Sequence, residues 1–321
     1  MNIKKKFSEN AQEYGVVAAL LVMVIVLSII SPQFRTVNNL LTLLRQASVN
    51  GLIAFGMTLV ILTGGIDLSV GSVLGLTGAL FAGLIVNFSV PIPLALLIAL
   101  ILGMVLGLVS GFLVGKTKLQ PFIATLITLT VYRGFTLIYM DGRPISDLTS
   151  DEYVGGSILK FIGQGEVLNI PVPVIILFVS FIMLYILLNK SVLGRKIYAV
   201  GSNERTAKLA GINTDRVKLF VYGMSGLMST IAALILVSRL NSAQPTLGTG
   251  YELDAIAATA IGGTSMSGGR GKITGTLLGI LIIAVLSNGM NILGISSYFQ
   301  DVVKGLVILL AVLVDRFNTD K

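Results

Sequence analysis

Long apolar runs alternate with shorter polar ones along most of this chain. The apolar runs lie at roughly 15–30, 45–62, 70–87, 92–115, 121–140, 171–189, 217–239, 251–262, 273–292 and 297–314. Several reach the roughly 20 residues that a helix needs to cross a bilayer core. The eighth is too short to cross alone and is expected to work with the loop that follows it. The pattern predicts an all-α, polytopic membrane protein of about ten helices, a single transmembrane domain over 1–321. Ten crossings put both termini on the same side.

One polar segment breaks the rhythm. Lys190 to Lys218 carries seven Lys or Arg and only two acids, Glu204 and Asp215. Within it, Asn203 reads as a helix N-cap with an acid just inside, and Gly211 as the C′ stop. The expectation is a short, exposed, amphipathic helix on the cytoplasmic face. A membrane protein needs such a helix if a soluble partner is to push on it. The competing reading is a charged loop that anchors helix ends at lipid headgroups.

Composition narrows the class. Apolar residues make up 54% of the chain and charged ones 12%, about half the charge of a soluble domain. The chain has neither Cys nor His. That removes disulfides, thiolate metal sites and the commonest general base and metal ligand. The net charge of +8 fits a positive-inside excess better than nucleic-acid binding, because the basic residues sit in loops between spans. With the N-terminus inside, sixteen of the 23 Lys and Arg fall on inner segments: Lys4–Lys6, Lys116, Lys118, the seven of the polar island, Arg270, Lys272, Arg316 and Lys321. The outer segments hold Arg35, Arg45, Arg143, Lys160 and Arg239, and the outer loop 141–170 has five acids against two bases. The predicted topology is N-in, C-in. The basic start followed by 15–30 superficially resembles a signal peptide. No small-x-small cleavage site precedes Ser31-Pro32, so a retained first span is expected.

An internal repeat runs at a constant offset of 204 residues. Gly64, Gly65, Gly71, Leu74 and Gly75 map onto Gly268, Gly269, Gly275, Leu278 and Gly279, and the same shift carries spans one to four onto seven to ten. Each copy holds an apolar segment, a glycine-rich break (63–69 and 262–271) and another helix. Irregular backbone at membrane depth is tolerated only where protein or a water-filled cavity satisfies it. Paired interrupted helices therefore point to a translocation path; two ordinary cytoplasmic loops are the plainer alternative. Gly103, Gly107, Gly111 and Gly115 on span four, with Gly71, Gly75, Ala79 and Gly83 on span three, form stripes that let helix backbones approach.

The candidate path residues are Asn50, Thr58, Thr63, Gly64, Gly65, Asp67, Gly262, Gly263, Asn288 and Asn291. Neutral hydroxyl and amide groups suit a sugar path, and they equally serve as interhelical glue. Asp67 reads either as the N-cap of span three or as the residue positioning the break that lines the path. Arg133 lies inside span five and must face protein or water, in a structural pair or on carbonyls. Asp301 and Lys304 share a helix face and are expected to pair. Glu252 and Asp254 sit at the outer mouth, either capping the short helix or meeting an outer partner. A nucleotide site is missing. Gly115-Lys116-Thr117 ends like a P-loop, but Ser110 stands where a glycine is required, and Gly271-Lys272 is followed by Ile273. If ATP drives this protein, another chain must bind it.

Several stretches closely resemble the permeases of ribose ABC importers: Asn38-Asn39-Leu40, Gly56 to Gly71, Ser242 to Pro245 with Gly250 to Ala258, Ile261 to Ser265, Asn288 to Gly294, and Val307 to Asp315. The likeness runs from about residue 20 to 316. Relatives for xylose, galactose, arabinose, inositol and autoinducer-2 share most of these motifs. The resemblance implies a multi-pass permease subunit of the bacterial inner membrane, a transport subunit rather than an enzyme, forming the path for a pentose, ribose first. It implies a homodimer, a cytoplasmic ABC ATPase with two fused nucleotide-binding halves, and an extracytoplasmic sugar-binding protein. ATP and Mg would sit on that ATPase, and this chain would carry no cofactor. Residues 190–218 then hold the coupling helix, with Gly201, Asn203, Glu204, Arg205, Ala207 and Gly211 as its contact set. The usual Glu-Ala-Ala pattern is absent, since Glu204 is followed by Arg205 and Thr206. An ion-coupled secondary transporter is the rival class; it would need intramembrane ionisable pairs, of which the sequence offers few.

Overall fold

The computed structural model describes residues 3–150 and 152–319, with side chains for 14–150, 152–310 and 313. Lys4–Lys6, Arg316 and Lys321, which count toward the predicted orientation, lie outside the described side chains. The elements run in the order α1 (Ile3–Ile30), α2 (Val37–Leu62), α3 (Val70–Val86), α4 (Ile92–Gly115), α5 (Pro121–Met140), β1 (Ile145–Ser146), α6 (Gly156–Gln164), β2 (Glu166–Val167), β3 (Ile170–Pro171) and α7 (Val172–Lys190). Then come α8 (Val192–Ser202), α9 (Glu204–Leu209), α10 (Thr214–Leu240), β4 (Ser242–Ala243), α11 (Tyr251–Ile261), α12 (Ile273–Ile292) and α13 (Ser297–Thr319).

Each of the ten apolar runs lies on a helix. The described α-helices number thirteen rather than about ten: α6 and α8 form inside connections read as loops, and α9 is the short helix expected within the polar segment. Among the described residues six helices, namely α2, α4, α5, α7, α10 and α12, are long and apolar enough to cross a membrane. Helix α11 has 11 residues and is too short to do so, as its apolar run predicted. Local chemistry sets many of the ends. Proline occupies the first turn of α4, α5 and α7, where its missing N–H leaves no bond unmade. Asp141 and Asn241 end α5 and α10 in the left-handed conformation.

Helices α2 and α10 form the centre. Their apolar windows are 78% and 83% buried, against 28% for α4 and α5, which present Leu97, Ile101, Phe135 and Ile138 outward. An exposed apolar face of that kind is stable against lipid or an apolar partner surface, not against water. The α4–α10 seam is made by the predicted glycine stripe. A Cβ on Gly111 would come within 3.0 Å of Leu219 Cα, and one on Gly107 would strike the Tyr222 carbonyl. The backbones are therefore in contact.

The connections collect at two opposite ends. At one end β1 pairs antiparallel with β4, the Thr149 N–H donates to Asn241 Oδ1 at 2.8 Å, and Arg45 meets Glu166 at 2.6 Å. At the other end Lys118 pairs with Asp215, and the last turn of α8 lies against the two glycine-rich breaks. Residues 244–250 turn back into the bundle. There Arg133 donates to the Leu247 carbonyl at 2.7 Å, and Gly71 lies in backbone contact with Gly248. Helix α11 consequently starts inside the protein.

Candidate coupling and translocation site

Helix α9 forms where its caps predict. The Asn203 side chain accepts from the Thr206 N–H at 2.8 Å, and Gly211 takes the left-handed conformation (φ +80°) after Leu209. Ala207 is buried beneath it, while Arg205, Thr206 and Leu209 point outward, Leu209 being 83% exposed. Glu204 is not a free surface acid. It takes Lys208 Nζ at 2.8 Å on one oxygen and Lys218 Nζ at 2.7 Å on the other, with the Thr214 hydroxyl donating at 3.2 Å. Partial burial pushes its carboxyl up, but the Lys208 and Lys218 bonds outweigh this and hold it at about 2. The pairing ties α9 to the foot of α10, so a push on α9 acts on that foot.

Helix α8 was not foreseen as an element, and it makes the closest contacts in the region. Its Gly201 sits against the ends of both breaks. A Cβ there would strike the Leu62 carbonyl oxygen and lie 2.6 Å from Gly269 N. The Gly269 N–H donates to the same Leu62 carbonyl at 3.0 Å. Gly64 and Gly268 both have positive φ, and a Cβ on Gly268 would lie 2.8 Å from Gly64 N. The Tyr198 hydroxyl donates to the Gly271 carbonyl at 2.9 Å. Only residues without a Cβ can bring three chain segments this close.

The candidate path residues are largely satisfied within the protein. Thr58 is fully buried, donates to the Ala54 carbonyl at 2.7 Å and lies 2.9 Å from the Thr276 hydroxyl. Thr63 caps α2 and donates to Val60, while Gly65 packs against the Tyr222 hydroxyl. Gly262 meets Gly275 backbone to backbone, and Gly263 turns with φ +80°. Asn288 exchanges a pair of amide bonds with Asn39 at 3.0 and 2.9 Å. Asn291 is exposed and accepts from Gln300 at 2.8 Å. The bonds of Thr58, Asn288 and Asn291 thus run between helices.

Asp67 is not the N-cap of α3; Ser69 is. The Asp67 carboxylate braces that turn by accepting from the Ser69 N–H at 3.0 Å and the Ser69 hydroxyl at 2.5 Å. Its other oxygen takes the Ser225 hydroxyl at 2.9 Å. Ser225 lies well inside α10, so the first break rises from the Leu62 end toward the middle of the bundle. Asp254 and Glu252 both lie in the first turn of α11, the capping position that is one of the two roles read for them. Asp254 is 5% exposed, with Lys304 Nζ astride its carboxylate at 2.9 and 3.0 Å and the Asn50 amide at 3.4 Å. Lys304 thus turns to α11 instead of to Asp301, because helix packing brings Asp254 within reach. A Cβ on Gly71 would strike a Glu252 carboxylate oxygen, so Glu252 faces α3. Asp254 is thus turned inward, and Glu252 is part-buried against α3. Arg133 makes the carbonyl contacts foreseen for it.

The bundle, its two abutting breaks and its exposed helix α9 define a polytopic helical membrane protein. A family described as "Branched-chain amino acid transport system / permease component" matches residues 39–312. The "Ribose import permease protein" of Bacillus subtilis (strain 168) is 54% identical over 310 residues, 97% of this chain and 94% of its own length. That of Haemophilus influenzae is 51% identical over 93% of this chain and 91% of its own. The "L-arabinose transport system permease protein" of Escherichia coli (strain K12) is 36% identical over 97% and 93%. No solved structure matches the chain. The chain belongs to this family of transport permeases: it is a multi-pass membrane transport subunit, not an enzyme.

Proposed function

We propose that this chain is the membrane-spanning permease subunit of an ATP-driven ribose importer of the bacterial cytoplasmic membrane. The observation that carries the reading is the near full-length identity of 50–54% to ribose import permeases from three bacteria, against 36% to the L-arabinose permease. A separate ABC ATPase with two fused nucleotide-binding halves would hold ATP and Mg, and an outer sugar-binding protein would deliver the sugar. Two copies of this chain would form the path. Ten crossings with both termini inside agree with the sorting of connections to two ends, with α11 and its break counted as one crossing. The exposed face of α9, with Arg205 and Leu209 at its centre, is the surface offered to the ATPase. Closure of the ATPase dimer would then move α9 and switch the path between outward and inward access.

The test is labelled ribose uptake in vesicles holding this chain, its ATPase and its binding protein. ATP-dependent uptake should survive collapse of the proton and sodium gradients, and excess unlabelled ribose should compete better than arabinose or xylose. Uptake that stops with the gradients and ignores ATP would instead favour ion coupling through the buried Asp254–Lys304 pair.

A further inference from the structure

We infer that the last turn of α8, through Gly201, is the joint at which the cytoplasmic island moves both glycine-rich breaks together. The inference rests on the importer reading and adds the route by which force enters the bundle. Three contacts carry it. Gly201 has no room for a Cβ between the Leu62 carbonyl and Gly269 N, so it touches the end of α2 and the second break at once. The two breaks are themselves joined there by the Gly269 N–H bond to Leu62 and by the contact of Gly268 with Gly64. Tyr198, one turn earlier on α8, fastens the far end of the second break through the Gly271 carbonyl.

Beyond the joint, the first break leads through the Asp67–Ser225 brace to α3, and the second leads to α12. On its other side α8 is separated from α9 only by Asn203, the N-cap of α9. A displacement of α9 therefore reaches both halves of the bundle through backbone contact. Packed interfaces of this kind switch between discrete arrangements rather than flex. Neither break can rearrange while α8 stays in place, so the two repeats change state as one. Gly201 is on this account a positioning residue, acting on the breaks and not on the ATPase.

The test uses the full permease–ATPase–binding-protein complex in vesicles, with Gly201→Ala and Tyr198→Phe made separately. The readouts are co-purification of the ATPase with the permease and sugar imported per ATP hydrolysed. A purely structural loss of folded protein lowers import and hydrolysis alike and leaves their ratio alone. The expected result is retained ATPase co-purification in both variants. Import per ATP should fall about tenfold in Gly201→Ala, the size of a typical coupling term, and by less in Tyr198→Phe. If Gly201→Ala does not reach the membrane, Tyr198→Phe decides. An unchanged ratio in Tyr198→Phe overturns the inference. Loss of ATPase co-purification in Gly201→Ala also overturns it, since Gly201 would then belong to the docking surface. A wild-type complex without ATP-dependent uptake sinks the importer reading itself, and the inference falls with it.

Discussion

Asn50 and Asp254 stand 204 residues apart in the chain, and the Asn50 amide donates to Asp254 Oδ2 at 3.4 Å inside the bundle. That separation is the repeat offset read from the glycines. Gly64 and Gly268, separated by the same interval, also touch. Equivalent positions of the two halves thus meet each other at two points along the α2–α11 side of the protein. Such self-contact is what a two-fold relation between repeats produces at its axis.

The pair that neutralises Asp254 is the first target. Removing one partner of a buried ion pair leaves the other charge uncompensated, at a cost of about 3–5 kcal/mol. Lys304→Met should therefore lower thermal stability in detergent. Adding Asp254→Asn should recover most of the loss. A Lys304→Met protein as stable as wild type would show that the Asp254 carboxylate is solvated.

The brace on α3 gives a second test. Ser225→Ala removes the hydroxyl that donates to Asp67 at 2.9 Å, leaving a buried carboxylate oxygen short of a partner. The expected loss is about 1–3 kcal/mol, read as a lower midpoint of thermal unfolding. No change would place water at that oxygen.

Glycine contacts can be separated from glycine content. Gly107→Leu must displace the Tyr222 backbone across the α4–α10 seam, whereas a Cβ at Gly134 on α5 meets nothing within 4 Å. Gly107→Leu should abolish stable expression and Gly134→Leu should be tolerated. Equal behaviour of the two would remove the stripe from the packing account.

Glu204 supplies a pH signature. Its carboxyl is held at about 2, below the ordinary value of 4.5, so the ionised form is favoured by folding. The stabilisation is complete above about pH 4.5 and is lost as the pH falls through about 2. Because the group is about one-third exposed, solvent screening limits the effect to roughly 1 kcal/mol. Glu204→Gln should be less stable than wild type at pH 7, and the difference should shrink below about pH 4.5 and vanish only below about pH 2. Glu204→Lys should further loosen α9 from α10 and uncouple ATP hydrolysis from transport while leaving membrane insertion intact. Unchanged transport would count against α9 as the docking element.

Hydropathy and capping residues were enough to place the ten principal helices and the start and stop of α9. The carbonyl role of Arg133 followed from its depth in span five. Three partners were not legible. Lys304 has Asp301 three residues away, yet it bonds Asp254 on another helix. Asp67 is braced by Ser225, and nothing in the run Gly223-Met-Ser-Gly226 marks that serine as its partner. Tyr198 stands in a basic stretch whose helical turn was masked by its charge, and only its contact with Gly271 reveals a role.

The division has a physical cause. Helix formation, caps and lipid-facing surface depend on residues within about four positions of one another and on the solvent, and the sequence states both directly. The sequence by itself therefore determined a helical membrane bundle with two glycine-rich breaks and a basic projecting helix. Which side chains meet depends on which helices lie side by side, and that is decided by the packing of the whole chain. Only the tertiary structure brought Gly201 between Leu62 and Gly269, turned Asp254 inward to Lys304, and joined the two breaks into one contact.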